Sequence, residues 1–188
     1  SVEDLKGKTI CTLPKGNAAE KMTRVVLDAY GLTYDDMEKV NFIGFTDAAD
    51  AIKDGHADAL FAMSTFPYPA LQDLATSRGI KLIPLSDEAY EKIYNVNPAY
   101  YQVTIPGGTY KGSDEDTVVL GTTTIFFTNE EMPEDLVYDI TKLMFDNYDY
   151  LVTVNRSLKA MTPDVAWDVG IELHKGAEKY YREIGAIE

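Results

Sequence analysis

Short apolar runs alternate with amphipathic stretches through the first half of the chain, and this rhythm constrains the fold more than any other feature. Residues 8–13 read as a strand and Pro14-Lys15-Gly16 punctuates it. Met22, Val25, Val26 and Ala29 then recur at helical spacing until Gly31 supplies a stop. The pattern repeats with strands at 40–44, 57–63 and 80–85 and helices at 46–54, with Thr46 as N-cap, and 68–77. Parallel strands need long crossover connections, so strands alternating with helices predict an α/β lobe: a mostly parallel sheet flanked by helices.

After Leu85 the rhythm changes. Residues 87–94 suit a short helix and Pro98 breaks the chain. Two β-rich runs, 100–105 and 117–128, flank the turn-rich segment 106–112 and read as connecting strands. From Pro133 onward no strand signal remains. Val137, Ile140, Met144, Tyr148 and Leu151 form a long helical stripe, with further helices starting near Pro163 and Lys175. The expected organisation is an α/β lobe over 1–105, crossover strands or a hinge over 106–132, and C-terminal helices over 133–188. Those helices have apolar faces and no sheet of their own to cover.

Composition narrows the functional classes. The net charge of −14 removes the basic face that a nucleic-acid partner requires. No run approaches the ~18 apolar residues of a membrane span. The single Cys11 rules out an internal disulfide, and it and the widely separated His56 and His174 match no metal-binding spacing. There is no glycine-rich dinucleotide fingerprint and no P-loop, so neither a cofactor nor a metal is expected. Cys11, inside an apolar strand, reads as a buried inert thiol, His56 as exposed, and His174 as a cap of the last helix. The acidic run Glu130, Glu131, Glu134, Asp135 and Asp139 reads as a helix N-terminus and a solvated face.

Several words recur in one order: DLKGK (4–8), PKGNAAE (14–20), DGHADA (54–59), IPGGTY (105–110), DLVYDITK (135–142) and HKGAEKYYREIG (174–185). In these the chain resembles the TAXI family of solute receptors, which serve tripartite ATP-independent periplasmic (TRAP) transporters. The resemblance implies a type II periplasmic-binding-protein-like fold, two α/β lobes around a cleft, and a periplasmic, extracytoplasmic location. It also implies a small-molecule solute, an amino acid or organic acid, delivered to the membrane components of a TRAP transporter. A signal peptide and a further lobe segment of roughly a hundred residues would precede a chain of this kind, and the C-terminal helices would brace that lobe.

Two loops carry the candidate ligand contacts. At Lys15, Gly16, Asn17 and Ala18 a strand turns into a helix, whose first amides lack intrahelical partners and favour a carboxylate or phosphate. The family usually carries a Ser-Gly-Thr type sequence here, and Asn17 can equally serve as a plain N-cap. At Thr65, Phe66 and Tyr68 a second strand end meets a helix start, where ligands of open α/β sheets sit; Pro67 and Pro69 can equally just shape that start. Tyr110, near the crossing between lobes, can offer its hydroxyl to a ligand or fill the interface. The leading expectation is a binding protein with no catalytic residues. An enzyme on the same scaffold, or the effector-sensing domain of a transcription regulator, are the alternatives.

Overall fold

The computed structural model describes residues 1–188, and the chain divides into two compact units, Ser1–Thr122 and Thr123–Glu188. In chain order the first unit holds β1 (Thr9–Thr12), α1 (Ala18–Ala29), β2 (Lys39–Phe42), α2 (Phe45–Lys53), β3 (Ala59–Leu60), α3 (Pro69–Arg78), α4 (Asp87–Val96), β4 (Tyr100–Ile105) and β5 (Thr117–Thr122). The boundary between the units falls inside the 106–132 segment.

β1 is the central strand of a parallel sheet ordered β2-β1-β3, with Ile10 opposite both Val40 and Ala59. Ile10 and Cys11 are wholly buried and, as consecutive strand residues, face opposite sides. Ile10 joins Val26 and Leu27 of α1 and Ala89 and Ile93 of α4, while Cys11 packs with Ala48 of α2 and Ala57. Helices thus cover both faces, which is why β1 reads as an apolar run rather than as an alternating one. The mixed α/β architecture with its parallel sheet is the one expected.

β4 and β5 form a separate antiparallel pair, Tyr100 opposite Thr122 through Ile105 opposite Thr117. The turn between them grips α3 at both ends. The Tyr68 amide, at the start of α3, donates to the Tyr110 hydroxyl at 2.9 Å; past its end, the Ile80 amide donates to the Lys111 carbonyl at 2.9 Å. Gly112, at φ +94°, permits this approach, because a Cβ there would lie 2.9 Å from the Ile80 carbonyl oxygen.

Several expected elements differ. No strand forms over 80–85: Pro84 has no N–H to donate, and the amides of Ile80, Leu82 and Leu85 go instead to the Lys111 carbonyl, the Ser113 hydroxyl and the Val118 carbonyl. The strand expected over 57–63 shrinks to Ala59–Leu60, because its partner β1 ends at Thr12, just before Leu13 and Pro14. Beyond Thr122 the run 123–128 is not strand, since β4 begins at Tyr100 and offers no partner past it. Gly44, not Thr46, is the N-cap of α2, its extended ψ of 163° setting the entry two residues earlier.

The second unit is helical: α5 (Glu134–Asp146), α6 (Tyr148–Val154), α7 (Pro163–Ala166) and α8 (Lys175–Glu183), with a 3-10 turn at Arg156–Ala160. The stripe expected to run unbroken from Val137 to Leu151 is interrupted at Asn147. Its backbone leaves the helical region (φ −110°, ψ 20°), and its side-chain amide donates to the Leu143 carbonyl at 2.8 Å. α5 and α8 pack together through the buried Gly176 and an aromatic cluster in which Phe145 stacks on Tyr180 with 5.6 Å between centroids. His174 caps α8, its Nδ1 accepting from the Gly176 amide at 3.1 Å while Nε2 meets the Met132 carbonyl at 3.1 Å. A neutral imidazole protonated on Nε2 satisfies both bonds.

Candidate functional site

The first three helices all begin at the carboxyl edge of the parallel sheet, each just beyond a strand end. Helix starts carry unpaired amides and a partial positive charge, so this edge is the natural place for an acidic ligand. α1 is capped by a side chain, whereas the starts of α2 at Gly44 and α3 at Tyr68 have no side-chain cap.

In the turn between β1 and α1, Lys15, Gly16, Asn17 and Ala18 are all exposed. Gly16 adopts φ +88°, a conformation that a side chain would strain. Its amide points back to Glu20 Oε2 at 3.4 Å, and the Asn17 amide to the Pro14 carbonyl at 3.1 Å. The Asn17 side chain accepts from the Ala19 amide at 2.9 Å, so this residue does act as N-cap. The Lys15 ammonium lies 4.8 Å from the ring centre of Phe42 at the end of β2.

Behind this turn a short polar chain is sealed in the core. Thr23 donates to the Ala19 carbonyl at 2.9 Å, which leaves its oxygen free to accept from Thr12 at 2.7 Å; both threonines are wholly buried. Every hydroxyl is therefore satisfied, and the last residue of β1 is tied to the first turn of α1.

The loop after β3 holds the second set. Thr65 and Phe66 are exposed, the latter at 39%, and Tyr68 stands at the N-cap position of α3. The Tyr68 ring lies 5.2 Å from that of Phe45, the first residue of α2. Tyr110 is buried at 2% exposure and its hydroxyl holds the Tyr68 amide, so it positions the loop rather than facing outward. The structure brings Tyr68 and Tyr110 into direct contact. The turn at 15–18 and the loop at 64–68 exchange no hydrogen bond.

Three participants escape a reading by strand ends alone: Phe42, Phe45 and Glu20. The two rings flank Ile43-Gly44, the third strand-to-helix junction of the same edge. Glu20 stands three residues after the Asn17 cap, the spacing of a capping box, and that signal points to it.

Other titratable groups are less exposed to chemistry. Burial pushes the Cys11 thiol upward, and Asn41 Nδ2 approaches its sulfur at 3.8 Å, so the thiol is poorly nucleophilic. His56 is exposed. Burial, then the nearby Glu20 charge, push the Tyr34 phenol up to about 12. An unfolded tyrosine ionises near 10, so Tyr34 contributes stability that is complete below pH ~10 and is lost as pH rises through its folded value. Tyr34→Phe is accordingly expected to flatten the fall in melting temperature between pH 10 and 12, as followed by circular dichroism; an unchanged slope would contradict it.

Each unit also carries a surface recess. One of about 610 Å³ runs along α1 beside Arg24, Leu32 and Tyr34, and one of about 530 Å³ lies among Val152, Thr153, Arg156 and Lys159. Among models of known families, residues 1–185 match that of the NMT1-like family, a family of periplasmic solute-binding type.

Proposed function

The chain belongs to the NMT1-like family, whose members are extracytoplasmic solute-binding proteins, and on that premise we propose that it captures a small carboxylate-bearing solute, an amino acid or organic acid, at the carboxyl edge of its parallel sheet. The observation that carries this reading is the meeting of three helix starts at one edge, and at the first of them the Ala18 amide makes no hydrogen bond even though Asn17 caps the Ala19 amide. The Lys15 ammonium and the Ala18 amide face the acidic group. Phe66, with the Phe45 and Tyr68 pair, walls the rest of the solute, and Thr65 offers a hydroxyl.

The sequence resemblance to TAXI receptors extends the proposal. The protein works in the periplasm and hands its solute to the membrane components of a TRAP transporter. It performs no covalent chemistry, in keeping with a buried, upward-shifted Cys11 thiol.

A thermal-shift panel of the common amino acids and small mono- and dicarboxylic acids tests the core of this reading. A ligand that binds only the native state stabilises it by RT ln(1 + [L]/Kd), about 2.7 kcal/mol at a hundredfold excess over Kd. At least one panel member is expected to raise the melting temperature and Lys15→Ala to weaken that shift. A panel without effect would remove the carboxylate reading.

A further inference from the structure

Glu20 is the only charged side chain that is fully buried, at 2% exposure, and it sits directly behind the solute-facing turn. A buried charge destabilises a fold unless it is well paired, and this one is paired on every side. Its carboxylate accepts from the Gly16 amide at 3.4 Å, from Arg24 Nε and Nη2 at 3.1 Å each, and from the Tyr34 hydroxyl at 3.2 Å. The Tyr34 ring meets Phe42 edge-on at 5.5 Å, and Phe42 in turn carries the Lys15 ammonium. Glu20 reaches one residue further back than a capping box would, because the Asn17 amide is already held by Pro14. The Ala18 amide takes part in none of the turn's hydrogen bonds.

We propose that Glu20 is the positioning and selecting residue of this turn: it holds Gly16 directly and Lys15 through Tyr34 and Phe42, and it keeps the Gly16 amide and the Arg24 fork from an incoming acid. Among the donors of this exposed turn that Glu20 does not occupy, the Lys15 ammonium and the Ala18 amide are the pair assigned to a carboxylate head group. The inference rests on the reading above that the turn meets the solute.

The test uses the full chain labelled with 15N, sodium acetate as a bare carboxylate probe, and the isosteric variant Glu20→Gln. In the unmodified protein acetate is expected to shift the Ala18 amide signal and leave Gly16 in place. In Glu20→Gln the Gly16 signal is expected to move upfield without ligand, to respond to acetate as Ala18 does, and the Tyr34 phenol to titrate nearer the ordinary ~10. A merely packing role for Glu20 would leave the Gly16 signal and its indifference to acetate unchanged in the isostere. Acetate moving Gly16 as much as Ala18 in the unmodified protein, or failing to move Ala18, overturns the proposal, as does an unaltered Gly16 signal in the variant. Should Glu20→Gln not fold, Arg24→Gln, at a side chain 59% exposed, loosens the same carboxylate from outside. The Gly16 signal is expected to move there too, and a fixed signal again overturns the proposal. Failure of the solute reading itself shows separately, as an amino-acid and organic-acid panel that leaves the melting temperature unchanged.

Discussion

Replacing Gly176 with alanine is expected to lower the melting midpoint of the helical unit, although the substitution favours helix formation in isolation. Alanine is worth about 1 kcal/mol over glycine in a helix interior, and Gly176, the second residue of α8, stands to gain less than that. Against that, the added Cβ would sit 2.3 Å from the Glu134 carbonyl oxygen, 2.7 Å from the Tyr138 nitrogen and 2.9 Å from Val137 Cβ. Two of these neighbours are backbone atoms of α5 or its first turn and have no rotamer to escape to, so α5 and α8 must separate. Separation also loosens the stacking of Phe145 on Tyr180 and the edge contacts to Tyr138 and Tyr181. Overpacking of this kind costs about 1–3 kcal/mol and at times more, which outweighs the propensity gain. Trp167, the only tryptophan, lies in this unit, and its fluorescence during denaturant unfolding gives the midpoint. An unchanged or raised midpoint would show that the close approach of the two helices is not maintained.

Leu27→Ala is expected to have a comparable or larger effect on the α/β unit. Leu27 is 1% exposed and packs with Ile10, Val26, Ala89 and Ile93, where α1, β1 and α4 meet. Truncating a buried leucine costs about 2–5 kcal/mol, the spread reflecting how far the cavity collapses. The only cysteine provides the probe: Cys11 is wholly buried in the sheet and reacts with a thiol reagent when the unit opens. Since each 1.4 kcal/mol is tenfold in a population, labelling in the fast-reclosing regime should accelerate by roughly 30-fold or more. Acceleration below about threefold would mean that α1 contributes little to closing the sheet.

The parts of the fold legible in the sequence are those where burial on both faces wrote a continuous apolar signal. β1 is an example, while α1 is legible instead by the helical period of its one-sided stripe, which the turn at Gly31 closes. Residues 80–85 carry the same apolar character yet form no strand, because Pro84 interrupts the donors and the local amides find loop carbonyls instead. Asn147 shows the converse problem: periodicity continues across it, while one side-chain hydrogen bond to Leu143 stops the helix. At the candidate site, Lys15 to Ala18 and Tyr68 were visible as strand-to-helix junctions. The inward role of Tyr110 depends on a contact across 42 residues of sequence, which local pattern does not encode. Glu20 had a local signature in its spacing from Asn17, but its partner Tyr34 lies 14 residues away.

The grip of the β4–β5 turn on α3 has a kinematic meaning. Tyr110 holds the first residue before the helix, and Lys111, its neighbour, holds its far end, through the Ile80 amide just past it and a 3.5 Å contact from its ammonium to the Thr76 carbonyl in its last turn. A rod fastened at both ends to adjacent points of one short bracket cannot tilt without carrying the bracket along. Any displacement of Tyr68 must therefore travel as a rigid-body movement shared by α3 and the hairpin. The pivot for such a movement lies outside both, and the hairpin tip becomes a lever from which motion at the mouth of the site can be read.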